Sequence, residues 1–120
     1  MKAAVYYDNG GPEVFKYEDV PDPECPPGWV VINVKAVSLE GGDLINRWGA
    51  PPPHAPYVVG YQAAGVICEV GEGVTDLRVG QRGTAIFPNG SHAEKRAVLA
   101  AAAHAYVESR QSFGRVVMIP

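Results

Sequence analysis

The alternation of apolar and polar residues predicts a chain built mostly from short β-strands. Apolar residues, many of them β-branched, occur in short runs, some of which alternate with polar residues as in a half-buried strand. Clusters of glycine and proline separate these runs and mark turns. The predicted strands cover residues 2–7, 14–20, 29–37, 63–70, 77–86, 91–99 and 115–120.

Two segments have a different, helical pattern. Asp43 is predicted to cap a short helix that buries Leu44, Ile45 and Trp48 on one face and ends at Gly49. Residues 100–111, "AAAAHAYVESRQ", are rich in strong helix formers and predict a second helix. About seven strands and two short helices predict a mainly β fold, a barrel or a sandwich.

The stretch "EVGEGVTD", residues 69–76, resembles the start of a dinucleotide-binding turn because closely spaced glycines follow a strand. The full fingerprint needs a third glycine, and Asp76 occupies that position. The residues that follow continue as a strand instead of a helix. Gly71 and Gly73 are therefore predicted to form a tight turn between strands, where a positive φ is required.

Composition limits the possible functions. The chain has 120 residues and a net charge of −3, which suits one modest core and argues against nucleic-acid or anionic-membrane binding. No apolar run approaches the roughly 20 residues of a membrane span, and the N-terminus becomes polar too early for a secretory signal. Cys25 and Cys68 are far apart in sequence, which favours one loop thiol and one buried thiol in a reducing, cytoplasmic location, with a single disulfide as the alternative.

Few residues suggest catalysis by themselves. His54, His92 and His104 stand apart from any Cys, Asp or Glu at metal-ligand spacing, so they are interpreted as ordinary histidines. No serine lies in a G-x-S-x-G motif. The sequence therefore predicts neither a metal site nor a nucleophile.

Two polar groups remain as candidate site residues. Glu40 and Asp43 flank two glycines, and Arg47 follows Asp43 by four residues; this pattern fits either a helix cap with an ion pair or a polar cluster at a cleft mouth. Tyr61 and Gln62 begin a strand within "GYQAAG" and offer a phenol and an amide. The alternative for this pair is a turn with a packed tyrosine.

Five motifs, read in order, resemble a known family. They are "AVSLEGGDLINRWG", "PYVVGYQAAGVICEVGEGV", "VGQR", "GSHAEKRAV" and "GRVVMIP". The series is similar to the medium-chain dehydrogenase/reductase superfamily, in particular its zinc-independent quinone oxidoreductase branch, which includes zeta-crystallin. The resemblance covers almost the whole chain and implies a GroES-like β-barrel, the catalytic domain of that family.

The resemblance also implies roles for the candidate residues. Zinc-dependent relatives have a cysteine and a histidine where this chain has Glu40 and Tyr61, so no zinc is expected. In zinc-free relatives the first position is commonly asparagine and faces NADPH, so Glu40 is a departure. By motif position, Glu40, Asp43, Arg47, Tyr61 and Gln62 are expected at the cofactor and substrate cleft. Gly83 also departs, because a β-branched residue is usual there.

The family's nucleotide-binding Rossmann domain has no counterpart in these motifs. The chain is thus expected to be a single GroES-like domain, with an N-terminal part at 1–99, a junction at 100–103 and a closing helix and strand at 104–120. The resemblance implies hydride transfer from NADPH to a quinone or enone in the family. The isolated chain is expected to bind no cofactor by itself and to be inactive.

Two alternatives to this reading remain open. The chain could be a noncatalytic module that self-associates through the surface left exposed by the absent domain. It could also be completed by a separate nucleotide-binding chain. A co-chaperonin role is not expected, because no long glycine-rich loop is present.

Overall fold

Short antiparallel strands dominate residues 1–105, the part of the chain that the structure, a computed structural model, describes. One α-helix, α1, spans Gly41–Gly49, and single turns of 3-10 helix span Pro12–Val14 and Ala100–Ala102. The strands are β1 (Lys2–Tyr6), β2 (Lys16–Asp19), β3 (Trp29–Ser38), β4 (Tyr57–Val58), β5 (Gln62–Val70), β6 (Arg82–Ile86), β7 (Lys95–Leu99) and β8 (Ala103–Ala105). The predicted mainly β class is confirmed.

Strand β3 organises the larger of two sheets. Its branched residues favour the extended backbone, and it pairs with β7 on one side and β5 on the other. The complete order is β7-β3-β5-β6-β8, with every neighbouring pair antiparallel. A smaller sheet has the order β2-β1-β4. An isolated bridge pairs Ala3 of β1 with Ala93, in the segment that leads into β7.

Two apolar clusters hold these sheets together. The larger joins β3, β5, β6 and β7, and its members are Val30, Ile32, Ile67, Leu77, Ala85, Val98 and Ala103. The smaller is aromatic: the Tyr6 ring packs edge-on against Tyr57 at 5.4 Å and Phe15 at 5.9 Å between centroids. Burying each large apolar side chain contributes about 1.5–3 kcal/mol, so these clusters are the main source of stability.

Three predicted strands are shorter than expected. In the 14–20 segment only Lys16–Asp19 is strand. In the 77–86 segment only Arg82–Ile86 is strand, because the chain reverses at Gly80, whose φ is +89° and whose N–H donates to the Ile67 carbonyl at 2.8 Å. In the 91–99 segment only Lys95–Leu99 is strand. The residues before it bond to β1 instead: the Ala4 N–H donates to the His92 carbonyl at 2.9 Å.

The alanine-rich segment does not begin a helix. Ala100–Ala102 form one 3-10 turn, and Ala103–Ala105 pair with β6 as strand β8. Pairing with an open sheet edge outweighs the helix propensity of alanine, a weak preference that tertiary contacts override. The helix predicted at 100–111 is therefore wrong over residues 100–105, which include His104. The rest of the predicted closing helix and strand lies outside the described residues.

Helix α1 forms where predicted, but its buried face is the opposite of the one predicted. Leu44, Ile45 and Trp48 are 56%, 70% and 66% exposed, whereas Asp43 and Arg47 are only 5% and 7% exposed. Spacing of four residues places Asp43 and Arg47 on one face. The domain supplies polar partners for that face, and the apolar residues point to solvent. No helix within residues 1–105 has the length and apolarity needed to cross a bilayer.

The prediction that Gly71 and Gly73 need a positive φ is confirmed for Gly73 only. Glycine is required at Gly71 for a different reason. Gly73 has a φ of +81°, in the region that favours glycine. Gly71 does not have a positive φ. A Cβ at Gly71 would lie 2.2 Å from the Pro26 carbonyl oxygen, so close backbone approach is what requires glycine there.

Candidate functional site

The first turn of α1 carries two candidate carboxylates. Glu40 is the N-cap residue, and Asp43, the third residue of the helix, accepts a hydrogen bond from the Glu40 N–H through Oδ2 at 3.0 Å. Asp43 therefore caps the helix from its third position, and the N-cap position itself is held by Glu40. This bond satisfies one of the backbone donors that a helix N-terminus leaves unpaired.

Glu40 and Gln62 meet at the start of β5. The Glu40 Oε1 accepts hydrogen bonds from Gln62 Nε2 at 2.7 Å and from Ser38 Oγ at 3.2 Å. All three residues are half-buried. Two neutral donors hold the carboxylate in one orientation beside the positive end of the helix dipole. Two of the residues predicted for the site, 22 positions apart, are thereby brought into contact.

Tyr61 lies against the same helix. Its phenol oxygen accepts a hydrogen bond from Asn46 Nδ2 at 2.7 Å. Its ring covers Gly42, where a Cβ would approach the Tyr61 Cε2 to 2.7 Å. Sequence reasoning missed Ser38, Gly42 and Asn46; the signal available for Gly42 was a glycine inside the first turn of a helix, where it is unfavourable unless something packs on it.

Arg47 anchors α1 to the N-terminal segment. Its Nε donates to the Gly10 carbonyl at 3.2 Å, and its guanidinium lies 5.0 Å from the centre of the Phe15 ring. Asp43 is directed elsewhere, so the expected ion pair between Asp43 and Arg47 is wrong. Arg47 still lines a cavity of about 300 Å³ together with Glu40 and Asp43. Its suggested contact with a cofactor phosphate stays a prediction.

Asp43 and His92 form a buried polar pair at the wall of this cavity. The His92 Nε2 lies 3.9 Å from the Asp43 Oδ2. Within residues 1–105, neither the Asp43 Oδ1 nor the His92 Nε2 has a hydrogen-bond partner. Burial lowers the pKa of His92; the Asp43 carboxylate opposes this effect and the Arg96 charge adds to it. The imidazole is therefore neutral at pH 7.

The lowered pKa of His92 predicts a loss of stability in mild acid. The unfolded chain binds a proton at His92 with the ordinary pKa of 6.5, whereas the folded chain binds it less well. The free energy of unfolding is thus highest above pH 6.5 and falls as the pH drops below it, by at most about 1.4 kcal/mol per pH unit.

Urea titrations from about pH 7.5 to about pH 5.5 measure this slope, in the range where histidine titrates. His92→Gln is expected to flatten it. The exposed His54 supplies the control His54→Gln, which should leave the slope unchanged. Equal slopes for the native chain and His92→Gln would show that His92 titrates alike in both states.

Arg96 fixes the backbone around the site and was not identified from the sequence. It is 2% exposed, and its guanidinium donates to four carbonyls, those of Tyr61 at 2.8 Å, Ala85 at 3.3 Å, Phe87 at 2.7 Å and Asn89 at 2.8 Å. Burial lowers its pKa to about 10, and Asp43 opposes that change. The available signal was its alternation with Val98, which places both on the inward face of β7.

Glu40 and Tyr61, which the sequence resemblance aligns with zinc-ligand positions of zinc-dependent relatives, are both engaged in the hydrogen bonds described above. Among residues 1–105, no three His, Cys, Asp or Glu side chains are grouped as metal ligands. A larger cavity of about 380 Å³ lies on the other side of His92 and is lined mainly by apolar groups. Neither cavity is lined by Tyr61 or Gln62, but Glu40, Asp43 and Arg47 line the smaller one and not the larger, so the candidate site is assigned to the α1 side.

Comparison with known proteins identifies the family. Residues 26–110 match the model of the alcohol dehydrogenase GroES-like domain. The chain is 39% identical over 101 residues to 2-haloacrylate reductase of Burkholderia sp, an alignment that covers 80% of this chain and 30% of the relative.

Solved structures agree with this match. Quinone oxidoreductase of Pseudomonas syringae pv. Tomato DC3000 superposes with a TM-score of 0.85 and 32% identity, over 92% of this chain and 34% of that one. Escherichia coli quinone oxidoreductase complexed with NADPH superposes with a TM-score of 0.82 and 25% identity, over 88% and 33%. The chain spans about a third of the length of these relatives. It belongs to the alcohol dehydrogenase GroES-like domain family, and its relatives are medium-chain dehydrogenase/reductase enzymes that include quinone oxidoreductases.

Proposed function

We propose that this domain forms the substrate-side wall of the hydride-transfer cleft of an NADPH-dependent, zinc-independent quinone or enone reductase. The observation that carries the proposal is the arrangement at the two positions that the sequence resemblance aligns with zinc ligands of zinc-dependent relatives. There Glu40 is held by Gln62 at 2.7 Å and Tyr61 by Asn46 at 2.7 Å. A carboxylate and a phenol oriented in this way present polar groups to a ligand without needing a metal.

The residues of this chain would position NADPH and the acceptor, while the nicotinamide supplies the hydride when it is bound. Tyr61 and Gln62 begin β5 and Glu40 precedes α1, so rigid elements set their orientation. The Escherichia coli relative forms a complex with NADPH, which supports the choice of cofactor. Most of the dinucleotide's contacts are expected on the family's Rossmann domain, which residues 1–105 do not contain.

The chain alone is expected to show negligible reductase activity. In a steady-state assay with NADPH and a simple quinone, the rate of loss of NADPH absorbance should equal the rate without protein. One wall of the cleft cannot hold NADPH and the quinone in the geometry that hydride transfer requires. A full-length quinone oxidoreductase serves as the positive control. Clear turnover that scales with the amount of this chain would contradict the expected inactivity.

A second function is favoured by the outward face of α1. Leu44, Ile45 and Trp48 are each more than half exposed and adjacent on one helix, an arrangement typical of a contact surface. We infer that this face contacts another folded domain, either a nucleotide-binding domain or a second copy of this chain. Sedimentation over a range of concentrations tests self-association, and a monomer at all concentrations would exclude the second copy.

A further inference from the structure

The two cysteines, 43 positions apart in sequence, are held along one strand. Cys25 lies in the segment before β3, and its Sγ donates to the Trp29 carbonyl at 3.4 Å. Cys68 lies in β5, and its Sγ donates to the Val31 carbonyl at 3.4 Å. Both are free thiols and both are half-buried. Neither takes part in the candidate site.

The two carbonyls place the sulfurs on the same side of β3. Carbonyls two residues apart on a strand point in one direction and are separated by about 6.6 Å. The Trp29 carbonyl also accepts the Gly71 N–H at 2.7 Å, which shows that this direction is toward β5. Each sulfur therefore lies 3.4 Å from a carbonyl on the β5 edge of β3, and the two thiols are near enough to interact electrostatically.

The local backbone favours a further approach of these thiols. The register shifts from Val31↔Glu69 to Ile32↔Ile67, so Cys68 sits at a bulge that leaves it without a directly opposed residue. The segment before β3 is anchored beside it, because the Gly28 N–H donates to the Glu72 carbonyl at 2.9 Å. Most residues at 21–28 are exposed, so a shift of this segment would not open the core.

We propose that Cys25 and Cys68 form a reversible intramolecular disulfide that ties the proline-rich segment 20–28 to β5. With glutathione disulfide as the oxidant, one cysteine thiolate attacks it and releases one glutathione thiolate, which leaves a mixed disulfide on the protein. The second cysteine, as its thiolate, attacks the protein sulfur of that mixed disulfide and releases the second glutathione. Overall, two protein thiols are oxidised and one glutathione disulfide is reduced to two thiols.

The surroundings indicate which thiol reacts first. Burial raises the pKa of Cys25, and the charges of Glu69 and Cys68 raise it further, so Cys25 is a poor first nucleophile. The Lys95 ammonium, whose pKa is raised mainly by Asp22, also interacts favourably with the Cys68 sulfur. Cys68 is thus the attacking cysteine and Cys25 the resolving one.

Mass spectrometry after thiol alkylation tests the proposal. The chain is equilibrated in glutathione buffers of increasing oxidised fraction and quenched with N-ethylmaleimide, and its intact mass is then measured. The expected product is a monomer that has lost two hydrogen atoms and takes up no alkylating group. Its thermal midpoint should rise by on the order of 10 °C, because the bond closes a long loop. Dithiothreitol should restore both the mass and the midpoint.

Single variants separate the two steps. In Cys25→Ser the reaction should stop at a glutathione adduct on Cys68. This adduct should form several-fold faster than the adduct on Cys25 that forms in Cys68→Ser. In the Cys25→Ser background, Lys95→Met should lower the rate of adduct formation a few-fold, whereas Lys35→Met, at an exposed site on β3, should leave this rate unchanged. The proposal is overturned if the native chain accumulates only glutathione adducts, only disulfide-linked dimers, or no oxidised product in the most oxidising buffer.

Discussion

Replacing Arg96 with methionine is expected to lower the free energy of unfolding by about 3 kcal/mol or more. The change removes the guanidinium donors from four buried or part-buried carbonyls. The Tyr61 carbonyl keeps the Phe87 N–H at 2.9 Å, and each buried carbonyl left without a donor costs about 1–3 kcal/mol. Relief of the buried charge offsets part of this loss, since burial already lowers the pKa of Arg96 to about 10. Urea unfolding followed by circular dichroism measures the difference.

Two further variants make this result specific. Arg96→Lys keeps the charge but cannot span four carbonyls, so it should also be destabilised, by a smaller amount. Arg78→Met, at an exposed arginine, should stay within about 0.5 kcal/mol of the native chain. If Arg96→Met unfolds at the same urea concentration as the native chain, the four hydrogen bonds do not hold the site together.

Gly65→Ala is expected to have the next largest effect, about 3 kcal/mol or a failure to fold. A Cβ at this position would lie 1.9 Å from the Asn33 carbonyl oxygen and 2.8 Å from its carbon. The obstacle is backbone of the neighbouring strand, so β3 and β5 must separate to admit one methyl group. Because β3 and β5 lie in the middle of the larger sheet, the separation disrupts the core between them.

Two other glycines provide matched controls for Gly65→Ala. Gly73 has open space around it but a φ of +81°, so Gly73→Ala should cost about 1–2 kcal/mol through backbone strain alone. Gly49 has open space and no positive φ, and Gly49→Ala at the end of α1 should be neutral or slightly stabilising. Thermal unfolding of the three variants should follow this order. A Gly65→Ala midpoint equal to that of Gly49→Ala would show that β3 and β5 do not approach so closely.

Local patterns were sufficient for the elements with strong intrinsic preference. The branched residues of β3 and the capped, glycine-terminated helix α1 form close to their predicted positions. Boundaries failed where a turn or a partner strand decides the structure, as at Gly80 and at Ala103–Ala105. Spacing also located the apolar stripe of α1, but the prediction that the domain covers this stripe was wrong. That choice depends on partners such as the Gly10 carbonyl, which no local pattern contains.

The residues of the candidate site also divide into those that could be predicted from the sequence and those that could not. Glu40, Asp43, Tyr61 and Gln62 could be named from motif positions, and the structure brings Glu40 into contact with Gln62 and Tyr61 against α1. Arg96 could not be found in this way, because a cation in a strand usually faces solvent. Its role depends on four carbonyls from two separate segments, at Tyr61 and at residues 85–89, which only the folded chain brings together.

The most direct test of the central claim is an NMR titration of the chain with NADPH. Stable binding is not expected of the isolated chain, but if Glu40, Tyr61 and Gln62 form the wall of the hydride-transfer cleft, millimolar NADPH in fast exchange should shift their amide signals weakly and selectively, and signals of the turn at Gly73 should not move. Tyr61→Ala should abolish the shifts, and Tyr17→Ala, at an exposed tyrosine in the other sheet, should preserve them. Shifts confined to another surface, or none at any NADPH concentration, would contradict the assignment of this wall to the cleft.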